Sequence, residues 1–404
     1  MPVKLTGNAC IGQSGGPTVV INQSLVGAIQ ESAKHPEIQK FLGARHGVRG
    51  IMEEDFLDLA TIPADRLETL AVTPAAALGS VRLKPGPKEC ERVFDVFKKH
   101  NIRYFFYIGG DDSAKTAHTV NDLAREADYE FRTFHIPKTI DNNLMENDHT
   151  PGFGSAARFV ANAVRGDDLD NRSLPGVKVD IIMGRDAGWL TAASILARRR
   201  DGDSPHLVYL PEAPIAMDQF TKDVAQAFER YGRCVVAVSE GIRDPAGKLW
   251  AERLAEESDA DLVTDAFDHF QLSGTGALAD YLTTRIKAVL AHVPDLRVRG
   301  DTFGYLQRSF PGFHSAVDAA EARMVGRDAV RYACVGDVDG SVAIKREDAR
   351  AYKAYTEVVE LEAVAGKNRE VPSEYVNAEG NNVLDTFKDY AMPLVGDLPE
   401  TAVL

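Results

Sequence analysis

Residues 104–113 read Tyr104-Phe105-Phe106-Tyr107-Ile108-Gly109-Gly110-Asp111-Asp112-Ser113. An unbroken apolar run of this length fits a strand buried on both faces, because a half-exposed strand alternates apolar and polar residues. The glycine pair ends it, and Ala117, Val120, Ala124 and Ala127 then fall on one helical face. The same phrase of strand, polar turn and helix recurs outward from here. Upstream, Ala9, Cys10 and Ile11 lead through Ser14-Gly15-Gly16 to a helix bearing Ile21, Leu25, Ala28 and Ile29. Downstream, the run 131–136 is followed by Pro137-Lys138-Thr139-Ile140-Asp141-Asn142-Asn143, then by Phe159, Val160, Ala163 and Val164 at helical spacing. Residues 177–183 precede a predicted helix carrying Leu190, Ala193, Ile195 and Leu196. Two further strands, 206–210 and 234–239, flank a helix over 219–231. Such alternation predicts an α/β fold, with parallel sheets covered by helices on both faces. In these folds functional groups gather at the carboxyl ends of the strands, where the polar motifs of this chain fall.

The chain has 404 residues, a length that suggests two domains. A net charge of −14 argues against nucleic acid or an anionic membrane as partner, and requires any anionic substrate to find a local basic pocket. No run of about 18 apolar residues exists, so no membrane span is expected. Residues 1–7 lack the charged-then-apolar pattern of a secretion signal. Cys10, Cys90, Cys234 and Cys334 form no CxxC pair and no histidine cluster accompanies them, so neither a zinc site nor a disulfide framework is expected, and reduced thiols in the cytoplasm are.

Each motif admits a chemical and a plain structural reading. The glycines of Ser14-Gly15-Gly16 would let backbone N–H groups approach a phosphate at a helix N-terminus, or serve only a tight turn. Asp111 and Asp112 would suit Mg²⁺ with phosphate oxygens, or cap the next helix. In the loop after the third strand, a carboxylate can take a proton from an attacking alcohol and Lys138 can offset charge on a transferring group; the alternative is a turn rich in Asp and Asn. Met183-Gly184-Arg185 offers an arginine for a phosphate, and Glu240 in Ser239-Glu240-Gly241 a carboxylate for a sugar hydroxyl. Arg297-Val298-Arg299 and Gly304-Tyr305-Leu306-Gln307-Arg308 add three arginines and a tyrosine.

Taken together, Ser14-Gly15-Gly16, Gly109-Gly110-Asp111, Thr139-Ile140-Asp141-Asn142, Met183-Gly184-Arg185, Ser239-Glu240-Gly241 and Gly304-Tyr305-Leu306-Gln307-Arg308 resemble, in that order, the phosphofructokinase family. They span residues 12–309, roughly three quarters of the chain. The resemblance implies two parallel-sheet, three-layer domains with the active site in the cleft between them. It implies a donor-binding domain over 1–152, rejoined by about 309–355, a sugar-phosphate domain over 153–308, and an appended segment over 356–404. Asp141 looks like the base toward the fructose 1-hydroxyl, Thr139 like a donor to the transferring phosphoryl, and Asp111 like the carboxylate associated with Mg²⁺. Gly15 and Gly16 look like backbone donor positions and Arg82 like a phosphate-contacting arginine. Met183, Gly184, Arg185, Glu240, Tyr305 and Arg308 match the sugar-phosphate pocket. Arg299 matches a residue that reaches a neighbouring subunit's site, which implies a homodimer or homotetramer.

Two residues bear on the phosphoryl donor. ATP-using members typically carry glycine where this chain has Asp112 and Lys138, and pyrophosphate-using members resemble this chain at both. At about 4 Å and an effective dielectric near 20, a carboxylate repels a phosphate charge by roughly 4 kcal/mol, which disfavours a third phosphate. The resemblance therefore implies reversible phosphoryl transfer from pyrophosphate to fructose 6-phosphate. An ATP-dependent enzyme of the same fold and a non-catalytic sugar-phosphate sensor are the alternatives, and sedoheptulose 7-phosphate is a possible acceptor. The sequence departs from the family pattern at Asn143, where aspartate is common, and at Gly176, where a second intersubunit arginine is expected and Lys178 or Arg172 would have to stand in.

Overall fold

In the computed structural model, which describes residues 5–258, 276–336, 338–347 and 351–403, the run 104–108 lies at the middle of a seven-stranded sheet. The strands in chain order are β1 (Gly7–Gln13), β2 (Ile38–Ala44), β3 (Phe56–Asp58), β4 (Ile102–Gly109), β5 (Arg132–Pro137), β6 (Val177–Ile182), β7 (Leu207–Tyr209), β8 (Cys234–Ser239), β9 (Val298–Thr302), β10 (Gly340–Arg346) and β11 (Ala354–Val359). Two compact units result. Unit 1 comprises Met1–Ser155 and Arg308–Arg369, and unit 2 comprises Ala156–Gln307 and Glu370–Leu404.

The sheet of unit 1 runs β11-β10-β5-β4-β1-β2-β3. Its inner strands are parallel, and an antiparallel strand closes each edge, β11 on β10 and β3 on β2. Successive side chains of a strand point to opposite faces, and both faces of β4 are covered. Tyr104, Phe106 and Ile108 pack with Ala9 and Ile11 against the helices Ile21–Ser32 and Ala316–Val335. Phe105 and Tyr107 pack with Cys10 against Cys90, Val93, Phe94 and Phe97 of the helix Pro87–Lys99. That double burial is why the run shows no alternation. Unit 2 holds a four-stranded parallel sheet, β7-β8-β6-β9, and one of its faces packs on Phe220, Val224, Leu282 and Ile286.

The expected strands and helices are present, with two differences. The helix expected around Leu190 is only Trp189–Ala192 and tightens at once into a 3₁₀ turn, Ala193–Ala197. There the Ser194 hydroxyl donates to the Thr191 carbonyl at 2.6 Å, a local bond that competes with regular helix. The segment 356–404, expected as an appendage, is divided between the units. Its first part completes β11 and places Val364 against Ala114 and Leu144. Its second part packs Phe387 and Tyr390 on Trp189, with ring centroids 6.3 and 5.3 Å away. Arg158, Arg165, Arg199 and Arg200 donate to main-chain carbonyls between Val395 and Thr401. No helix among the described residues is long and apolar enough to cross a membrane.

The helices Ile21–Ser32 and Ala316–Val335 touch backbone to backbone. A β-carbon on Gly326 would stand 1.9 Å from the Ser24 carbonyl oxygen, and one on Gly27 would stand 2.2 Å from that of Arg323. Glycine in a helix interior is intrinsically unfavourable, so these two positions trade propensity for close packing. Gly326→Val should lower the denaturation midpoint, with a cost of about 1–3 kcal/mol or more because rigid main chain cannot yield. An unchanged midpoint in a denaturant titration would show that the helices do not meet there.

Candidate active site

Register delivers the three motif loops of unit 1 to one level. Gln13 pairs with Ile108, and Gly109 pairs with Pro137, so β1, β4 and β5 end side by side. Gly109 has no room for a side chain: a β-carbon would lie 1.9 Å from Ser113 Oγ. Its carbonyl accepts from the Lys138 amide at 2.9 Å and from His135 Nε2, also at 2.9 Å. His135 is fully buried, and that burial holds its pKa down to about 4. The ring is therefore a neutral strut, with Nδ1 at 2.8 Å from Ser341 Oγ.

Lys138 is 3% exposed, and its Nζ donates to the Gly16 carbonyl at 2.7 Å. Burial, and next the Arg308 charge, push its pKa down to about 7; Arg82 acts in the same sense, while Asp141 and Asp111 oppose it. The glycines before it make space for cations. Gly15, at φ +73°, would bring a β-carbon to 3.3 Å from Lys138 Nζ, and Gly16 would bring one to 3.0 Å from Arg308 Nη1. The Gly15 N–H already donates to the Val81 carbonyl at 3.2 Å. Gly15 thus differs from the open backbone donor expected of it, and donation to a phosphate would require that bond to be given up.

Asp111 and Asp112 open the helix Asp111–Glu126. Burial, and then the neighbouring Asp112 charge, raise the Asp111 pKa, the condition that a nearby cation relieves. Asp112 Oδ2 lies 3.0 Å from Lys84 Nζ, an ion pair that sequence reasoning missed. In the loop 138–152, the Asp141 amide donates to Thr139 Oγ1 at 3.2 Å, which leaves the threonine hydroxyl proton available to another acceptor. Asn142 is left-handed at φ 57° and fully buried, and its Oδ1 accepts from the Thr150 amide at 3.0 Å. Asn143 donates from Nδ2 to Asn368 Oδ1 at 2.7 Å, a loop fastening rather than a free ligand position. Arg369 donates to the Asn142 and Asp148 carbonyls at 2.9 and 2.6 Å. Asp318 accepts from the amides of Gly152 and Ser155 at 2.8 and 2.9 Å. Nothing in local spacing marks Arg369 or Asp318, because each acts on residues more than a hundred positions away.

Unit 2 assembles the second group in the same manner. Ile182 pairs with Ser239, and Ile181 with Thr302, so β6, β8 and β9 end together. Gly184, at φ 137°, donates its N–H to Glu240 Oε1 at 3.3 Å, and its carbonyl accepts from Ser239 Oγ at 2.6 Å. The Met183 amide donates to Gln307 Oε1 at 3.3 Å. Arg185 Nε lies 3.4 Å from Asp186, and Tyr305 is 45% exposed. Arg299 is exposed on β9. Arg308, expected in this group, belongs to unit 1 beside Lys138, because the division falls between Gln307 and Arg308 inside one short helix, Leu306–Ser309. Gly176 cannot carry an arginine: its β-carbon would lie 2.3 Å from the Arg297 carbonyl oxygen. Nor are the stand-ins at the strand end. Lys178 is bound to Asp167 and Asp301, and Arg172 to Asp168 and Asp203.

A family model described as Phosphofructokinase matches residues 8–333. A protein of Rhodospirillum rubrum named pyrophosphate–fructose 6-phosphate 1-phosphotransferase is 51% identical over 390 residues, covering 96% of this chain and 94% of its own. A protein of the same name from Xanthomonas campestris is 36% identical, with 97% and 93% covered. The solved structure of a pyrophosphate-dependent phosphofructokinase from Marinobacter aquaeolei superposes with a TM-score of 0.84 at 33% identity, covering 98% of this chain and 93% of that one. With two groups of polar residues at parallel strand ends and a match along nearly its whole length, the chain belongs to the phosphofructokinase family.

Proposed function

We propose that the chain is a pyrophosphate-dependent 6-phosphofructokinase, transferring phosphoryl reversibly from pyrophosphate to the 1-hydroxyl of fructose 6-phosphate. The observation that carries this reading is the buried Lys138 beside Arg308 and Arg82, a concentration of positive charge that a compact polyanion would balance. Asp112 opens the helix after β4, and its carboxylate bulk and charge, reduced by Lys84, would disfavour a longer donor. The 1-hydroxyl oxygen forms a bond to phosphorus as the bridging P–O bond of pyrophosphate breaks. The hydroxyl proton passes to the Asp141 carboxylate, and inorganic phosphate leaves.

Lys138, Arg82 and the backbone near Gly15 and Gly16 hold the donor, and Thr139 donates to the transferring group. Met183, Gly184, Arg185, Glu240, Tyr305 and Arg308 are the residues assigned to the sugar phosphate. Arg299 is assigned to a neighbouring subunit's site, in a homodimer or homotetramer. Asp111 is the residue to associate with Mg²⁺: burial, and next the Asp112 charge, raise its pKa, and a bound cation would offset both. The ion would screen phosphate charge. The enzyme is taken to act in the cytoplasm, where its four buried cysteines stay reduced.

With Mg²⁺ and fructose 6-phosphate, kcat/KM should be far higher for pyrophosphate than for ATP; an ATP value equal or greater would overturn the donor assignment. Asp141→Ala should lower kcat by about 10²–10⁴-fold with little change in KM for the sugar phosphate, and a folded variant with near wild-type kcat would remove Asp141 as base. The third outcome concerns pH. Lys138 in the empty site loses its proton as pH rises through about 7. A bound anion favours the ammonium, so binding above that pH should take up a proton and binding well below it should not. Calorimetry of pyrophosphate binding in buffers of different ionisation enthalpy measures the uptake, and Lys138→Met subtracts the ligand's own ionisation. Equal uptake in both proteins would show that Lys138 does not titrate there.

A further inference from the structure

The packing of the helices Ile21–Ser32 and Ala316–Val335 brings three metal-binding side chains together at one end of unit 1. His35 lies in the turn after the first helix, Glu37 just before β2, and Cys334 in the last turn of the second helix. One imidazole nitrogen, one carboxylate oxygen and the thiol sulfur all lie within 4.8 Å of one another. His35 Nδ1 stands 3.4 Å from Glu37 Oε1. Two ligands bound at about 2.0–2.1 Å in a tetrahedron are about 3.3 Å apart, so this pair already has the separation that a shared ion requires. The other ring nitrogen, Nε2, lies 3.3 Å from Glu31 Oε1, and Glu31 Oε2 accepts from Lys34 Nζ at 2.7 Å. Histidine ligands of metals commonly donate their second N–H to a carboxylate, which fixes the tautomer and the ring plane. Glu37 and Cys334 are buried, and the His35 side chain is 13% exposed, which leaves an approach from solvent.

We propose that His35 Nδ1, the Glu37 carboxylate and the Cys334 thiolate bind a transition-metal ion of the zinc class, with Glu31 orienting the histidine and water in the fourth position. A set of nitrogen, oxygen and sulfur suits zinc and its neighbours, whereas magnesium and calcium take oxygen alone. Binding releases the Cys334 thiol proton to solvent, so affinity rises with pH. The ion ties the end of the first helix, the start of β2 and the end of the second helix, and so fastens the C-terminal ends of the closely packed pair. This site is independent of the proposed phosphoryl transfer. The other acidic group, Asp167, Asp180 and Asp301, already holds the Lys178 ammonium at 2.5 Å from Asp167 and 2.7 Å from Asp301, and carries no such proposal.

The test is a Co²⁺ titration of the full-length protein after removal of bound metal. One equivalent per chain should produce the near-ultraviolet thiolate-to-cobalt charge-transfer band, and Zn²⁺ should abolish it by displacement. Cys334→Ser should lose the band and Cys90→Ser should keep it. Glu31→Gln should weaken Co²⁺ binding by about 10–100-fold, the usual effect of losing an outer hydrogen-bond partner. His35→Ala, a change in a turn that leaves the core intact, should weaken it by at least about tenfold. Absence of the band in wild type, its persistence in Cys334→Ser, or unchanged affinity in His35→Ala would each overturn the proposal.

Discussion

An ammonium taken out of water must be met by oxygen, and Lys138 meets the Gly16 carbonyl at 2.7 Å. The surrounding charge does not balance in its favour. Burial and two arginines work against the proton, and two aspartates work for it. The group at the ends of β1, β4 and β5 is therefore held in a state that an arriving anion improves. The cost of burying the lysine is met by the fold before any anion arrives, and an anion then favours its protonated form. The two glycines before the helix Ile21–Ser32 belong to the same arrangement: their missing side chains leave the volume in which the lysine and Arg308 stand.

The loop that carries Lys138 and Asp141 is fixed largely by residues outside the motifs. Asp318 and Arg369, together with Asn142 from the motif itself, clamp its backbone, and His149 joins Asp148 to Glu321 with distances of 2.8 and 2.6 Å. Burial alone would lower the pKa of His149, but the two carboxylates outweigh it and raise it. The backbone of the proposed base is thereby held from outside its own loop, the kind of support that keeps a reactive group in place.

What the sequence made legible follows from the range of the interactions involved. The run 104–108 announces a strand because both faces are buried, and each glycine turn marks a strand end; those are local facts. The edge strand β11 gave no such signal, because most of its side chains are only half-buried. Lys84, Asp318 and Arg369 were invisible since their partners are distant in sequence. Arg308 was expected among the sugar-phosphate residues, and nothing in the sequence marked it as a neighbour of Lys138. Its motif mates Tyr305 and Gln307 belong to unit 2, and no periodicity tells where between neighbouring residues a chain crosses from one unit to the other. Gly176 showed the reverse: a missing arginine in the sequence is, in the structure, a place where main chain comes too close for any side chain.

The four arginines along the stretch from Val395 to Thr401 all grip carbonyl oxygens. Every residue type offers the same carbonyl, so this fastening reads the path of the chain and is blind to its letters. The exposed positions of the tail are thereby free to drift in composition, including the charge they contribute to the surface, while its course and the buried Val395 and Leu398 stay under constraint. Diversity among relatives at this end would be expected to accumulate as substitution rather than as loss of residues.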